Sequence, residues 1–303
     1  MNMKNLPEIQ EAAADARVAA IYADIRATLG TSFVNLVYRH LATEPAVLEW
    51  AWQAVRPAIR AGTLAGQAQR LAAEVDAIRS GWGSVAAPAS PLAEPAAVRA
   101  LVAMYNSANA VNMMGLAHLL DRPSAVALDA GDAGDAAATV AIAATAATAT
   151  DGNGDAPPIR ATAPDPALSP LTAAPLPPLP SLDALGETER ARIARLNAYA
   201  EAAPPAIVAS LYRHLAVWPE ALVYAEAVLA PLQARGLLTE GRRRTIAAAQ
   251  RLAQEQPLAM PPAPPQLEAR FGASLRELRD VTLAKMLPVG RTLAAGLDIA
   301  PNL

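Results

Sequence analysis

A five-residue segment occurs twice in this chain: Tyr38-Arg39-His40-Leu41-Ala42 returns as Tyr212-Arg213-His214-Leu215-Ala216. The offset between them, 174 residues, holds without a gap while Ser32–Leu64 lies over Ala206–Leu238. Within that window Pro45 meets Pro219, Leu48 meets Leu222, Pro57 meets Pro231, Gly62 meets Gly236 and Leu64 meets Leu238. Upstream, Ala16-Arg17-Val18-Ala19 faces Ala191-Arg192-Ile193-Ala194, one residue out of step. Downstream, Leu101–Met114 lies more loosely over Ser274–Leu287 at an offset of 173. Self-similarity at a fixed offset marks a repeated unit, each copy of which buries its apolar face against the next. The expectation is a tandem duplication of one unit, folded as an intramolecular pseudo-dimer.

The unit reads as helical. Of 303 residues 53% are hydrophobic but only 4% aromatic. The apolar content is therefore mostly Ala, Leu and Val, and helix formers outweigh strand formers. No window sustains the alternation of a strand. Helices are expected over 12–29, 34–41, 46–61, 66–78 and 91–120 in the first copy, with Ser90-Pro91 as N-cap and first residue of the last. In the second copy Ser274-Leu275-Arg276-Glu277 has the form of a capping box. Between the copies Gly, Asp, Ala and Thr dominate as far as Asp155, and Pro and Ala thereafter. Few large side chains are present there to bury, which predicts a flexible or polyproline-like linker. The expected organisation is all-α: a first helical repeat over 1–122, a low-complexity Ala/Pro-rich linker over 123–180 and a second repeat over 181–303.

Several function classes drop out. A net charge of −3 gives no reason to expect a nucleic-acid partner held through phosphates. The chain has no cysteine, hence no disulfide, thiolate metal site or cysteine nucleophile. His40, His118 and His214 form no metal motif, and no dinucleotide-binding, P-loop or nucleophile-elbow signature occurs. Neither metal nor cofactor is expected. The apolar run at 136–150 is shorter than the roughly 20 residues that a bilayer requires, and the N-terminus lacks the core of a signal peptide. These features predict a cytoplasmic protein without a membrane partner.

The candidate chemistry begins on one helical face. Leu101, Tyr105, Asn109, Asn112, Leu116 and Leu119 share a stripe otherwise built for burial. Each amide on it must bond to another helix, a water or a ligand, so Asn109 and Asn112 either fix helix register or orient a water or polar substrate. His214 titrates near neutrality and could serve as a base. Its counterpart His40 equally fits a reading in which both are packing residues inherited by the two copies. Ser210 and His214 are spaced i,i+4 on a helix, without an evident acidic third member. Arg39 and Arg213 suit either a substrate carboxylate or ion pairs. Glu201 and Glu220 are expected in solvent.

Leu41-Ala42-Thr43-Glu44-Pro45, Val217-Trp218-Pro219, Ala227-Val228-Leu229-Ala230-Pro231 and Tyr105-Asn106-Ser107-Ala108-Asn109 resemble the group I 2-haloacid dehalogenases, also called the DehI family. The likeness spans both copies. It implies two helical repeats around one active site, and hydrolysis of the carbon–halogen bond of short 2-haloalkanoic acids by an Asp-activated water, without metal or ester intermediate. Carried over by position, the water-orienting asparagine falls on Asn109 and the pocket residues on Phe33 and Leu36. The serine before the catalytic aspartate falls on Ser210, and the aspartate itself on Leu211. Leucine accepts no proton, and Pro204–Leu211 contains no carboxylate.

Three readings remain at this point. The chain is a dehalogenase-like hydrolase with an altered base, His214 being the speculative candidate. Alternatively it is a non-catalytic pseudo-dimer that binds a small apolar carboxylic acid or another metabolite through Phe33, Leu36, Ser210 and Leu211. The third reading uses the duplicated surface for a homodimer or a helix-binding adaptor.

Overall fold

The computed structural model describes residues 6–31, 33–83, 92–121, 177–201 and 207–299. Among these residues the regular structure is helical and no strand occurs. The first half contains α1 (Ala16–Leu29), α2 (Leu36–Leu41), α3 (Pro45–Arg60), α4 (Thr63–Ser80) and α5 (Pro95–Leu120). The second contains α6 (Glu187–Ala198), α7 (Ser210–Leu215), α8 (Pro219–Ala234) and α9 (Leu237–Glu255). Its last helical run passes through a π-helical turn (Leu267–Phe271), α10 (Gly272–Arg276), a second π-helical stretch (Glu277–Leu283) and α11 (Ala284–Ile299).

Local chemistry sets the boundaries. Asp15 caps α1 by accepting from the Val18 amide at 2.8 Å, and Gly30 ends it in the left-handed region at φ 64°. Pro45 and Pro219 open α3 and α8 at the first turn, where the absent N–H costs nothing. Pro57 and Pro231 lie within these helices, which continue past them. The turns into α4 and α9 use Gly62 and Gly236 at φ 74° and 72°, a conformation that a side chain would strain.

Some expected boundaries shift. Helix α5 begins at Pro95 behind Glu94; Ser90-Pro91 falls outside the described residues, as does nearly all of the expected linker. Ser274 is not a helix cap. It lies inside α10, where its hydroxyl donates to the Phe271 carbonyl at 3.0 Å and sits 2.7 Å from His40 Nε2.

Helices α4, α5, α9 and α11 pack around one another as the centre of the molecule. Neighbours run antiparallel. Gln67 near the start of α4 donates to the Gln256 carbonyl just after α9, at 2.9 Å. Arg99 at the start of α5 donates to the Leu297 carbonyl near the end of α11, at 2.6 Å. Two apolar clusters lie at opposite ends of these helices. One joins α1–α3 to the C-terminal part of α5 and the start of α11; the other joins α6–α8 to the N-terminal part of α5 and the end of α11. Neither half therefore owns a complete core. No single described helix is long and apolar enough to cross a membrane.

Candidate active site

A cavity of about 50 Å3 lies where segments of the two halves meet. That is several times the roughly 10–15 Å3 that one water needs. Phe33, Asn35, Leu36 and Val37, at the entry to α2, form one wall. Val208, Ala209, Ser210 and Leu211, at the entry to α7, form the wall opposite in sequence register. Helix α5 adds Tyr105, Asn109 and Asn112. The second π stretch adds Leu278, Thr282 and Leu283, and α11 adds Met286. The wider π turn lets residues four and five apart face one side. Phe33, Leu36 and Ser210 are partly exposed and mark the open side.

Four of the wall's polar residues stand out by what they lack. Asn35, Asn109, Asn112 and Thr282 are 7%, 8%, 4% and 8% exposed. Among the described residues none has a side-chain hydrogen bond, and Asn35 Oδ1, Asn112 Oδ1 and Thr282 Oγ1 are fully enclosed without a partner. A buried polar atom left unpaired costs about 1–3 kcal/mol. Three such atoms around one space, with the amide of Asn109 beside them, favour a polar occupant.

Sequence reasoning placed Phe33, Leu36, Asn109, Ser210 and Leu211 at the site, and all five line this cavity. His214 does not. Its Nε2 lies 2.6 Å from the Pro177 carbonyl, to which it donates, and its Nδ1 accepts from the Tyr105 hydroxyl at 3.1 Å. Burial lowers its pKa and so keeps it neutral. With both ring nitrogens occupied, no lone pair is free to take a proton from a water. His40 is held alike, by Pro7 and Ser274 at 2.7 Å each.

The arginines of the repeated segment also serve the incoming chain. Arg39 is buried against Glu8, 2.6 Å away, and donates to the Val34 carbonyl. Arg213 donates from two nitrogens to the Pro180 carbonyl, at 2.6 and 3.0 Å. In both halves, then, Arg-His grips the segment that leads into the helical unit. Neither arginine lines the cavity.

Glu201, expected in solvent, has a side chain only 7% exposed and is paired with Arg242 and with Lys285, the latter at 3.3 Å. Lys285 Nζ also donates to the Asn197 carbonyl at 2.6 Å. Asn197 in turn holds Ile207 and Ala209 through their backbone, at 2.9 and 3.1 Å, which fixes the wall beside Leu211. Tyr105 is the cavity's one titratable residue among those described, and burial raises its pKa, leaving it neutral. No described carboxylate or histidine faces the space. No group of three described acidic or histidine side chains is placed to hold a metal ion.

Asn35 and Thr282 were missed in the sequence. A signal for the second existed: Thr282 stands opposite Asn109 at the offset of 173 that relates Leu101–Met114 to Ser274–Leu287. Asn35 occupies an N-cap position, where its side chain would ordinarily bond the helix, yet it makes no such bond.

No family model and no curated protein matches the chain. Solved structures of D-2-haloacid dehalogenase do match, at 18% identity, over 98% of this chain and 96% of theirs. They are a mutant in complex with D-2-CPA (TM-score 0.62), the enzyme with L-LA (0.63) and a further mutant (0.65). The chain has the fold of those enzymes.

Proposed function

We propose that this chain is a dehalogenase-like protein that holds a short alkanoic-acid-like molecule in the cavity without hydrolysing it. One observation carries the reading. The cavity gathers every wall residue that the resemblance to group I 2-haloacid dehalogenases assigns, while Leu211 stands where that resemblance puts the aspartate. A positioned base contributes roughly 10²–10⁴-fold to such a reaction, and no described side chain around the space supplies one. The two halves are read as copies of one unit, a cytoplasmic pseudo-dimer with the cavity at its centre. In support, Leu36 and Ser210, and Val37 and Leu211, are wall residues related by the offset of 174. Helices α2 and α7 have six residues each, and α3 and α8 sixteen each.

The hydrolytic reading keeps one observation in its favour: the unpaired Asn109 is free to orient a water. Halide release from D- and L-2-chloropropionate and from their amides separates the two. The wild-type chain is expected to release none above buffer, and Leu211→Asp to gain release that Asn109→Ala removes again. Release by the wild-type chain would overturn the non-hydrolytic reading. If neither protein releases halide, the likeness stops at the fold.

A further inference from the structure

The polarity of the cavity wall says more about the occupant. Its polar side chains are amides and hydroxyls, from Asn35, Tyr105, Asn109, Asn112, Ser210 and Thr282, and no described cation lines the space. The cations on adjoining helix positions are committed elsewhere: Arg39 to Glu8, Arg213 to Pro180 and Lys285 to Asn197 and Glu201. A carboxylate entering this space would shed its hydration, meet no cationic side chain in the wall and offer no donor to the enclosed Asn35 Oδ1 and Asn112 Oδ1. A neutral carboxamide matches the wall better. It both donates and accepts, so it can serve the enclosed Asn112 Oδ1 and Thr282 Oγ1 as well as the amide nitrogens. Asn109 and Thr282, one from each half, would then meet the same ligand from two sides.

We propose that the cavity selects an uncharged short 2-substituted carboxamide over the corresponding carboxylate. This rests on the cavity being the ligand site, as argued above. The test is a thermal-shift titration of the full chain at neutral pH with 2-chloropropionamide and, at matched concentration and ionic strength, sodium 2-chloropropionate. A ligand that binds only the folded state raises the melting temperature with its concentration. The amide is expected to stabilise at concentrations at least about tenfold lower than the acid. In Asn112→Leu, and separately in Thr282→Val, that response should be lost while the helical circular-dichroism signal is retained. Equal or greater stabilisation by the acid would overturn selection for the neutral form and leave the cavity as the binding site. A flat response to both compounds would overturn the binding reading as well.

Discussion

Lys285 holds its ammonium at 1% exposure, against the Asn197 carbonyl and the Glu201 carboxylate. Burial pulls its pKa from 10.5 down to about 8, with Glu201 pulling the other way. Between these values the unfolded chain binds more protons than the folded one, so this group makes stability rise with pH. Below about pH 8 the cost of burying the charge is felt in full, and from there to about 10.5 it is relieved, by about 3 kcal/mol. Urea unfolding at pH 7.5 and pH 10 checks this. The stability of the wild-type chain should increase relative to Lys285→Met over that interval, and parallel changes in the two would refute the assignment. At the same scale, Asn109 was legible because amides are conspicuous on an apolar helical stripe. The neutrality of His214 was not, because the Pro177 carbonyl and the Tyr105 hydroxyl that occupy its ring are 37 and 109 residues away.

Helix α5 shows how elements approach one another. It carries Gly115 in its interior, and a Cβ there would meet Leu64 and Val55 at 3.9 and 4.0 Å, ordinary contact. Gly115→Ala should therefore stabilise the protein by about 0.5–1 kcal/mol, from reduced freedom of the unfolded chain and better helix propensity. At a different contact of α5, with α11, a Cβ on Gly290 would overlap the carboxamide oxygen of the buried Asn106. Gly290→Ala should cost about 1–3 kcal/mol, as overpacked cores do. Chemical denaturation of the two variants reads both; stabilisation by Gly290→Ala would show a looser α5–α11 contact than described, and destabilisation by Gly115→Ala a tighter packing around α5. Sequence pattern located α3, α4 and α5 to within a few residues. It could not see the π stretch at Glu277–Leu283, since an i→i+5 turn is rare and has no local residue preference to announce it.

For the whole molecule, the decisive fact is that each apolar cluster draws on both halves. Residues 98–105 of α5 pack with α6–α8, whereas residues 110–119 pack with α1–α3. A unit that must borrow its core from the other has no independent stability, so calorimetry of the intact chain should give one cooperative transition. The fragment 1–121 alone should show none. Two resolved transitions, or a cooperatively folded fragment, would mean that each half closes its own core.

Helical class and the recurrence of Tyr-Arg-His-Leu-Ala follow from the sequence alone, because both rest on neighbours within a few turns. So do the proline-opened helices and the conspicuous amides, which express local backbone preference and apolar spacing. Only the tertiary structure brought 33–37, 105–112, 208–211 and 278–286 to one cavity, turned Asn35 and Thr282 toward it and withdrew His214 and both arginines to hold the incoming segments. Those outcomes depend on which distant groups compete for each hydrogen bond, and a linear sequence carries no distances between them.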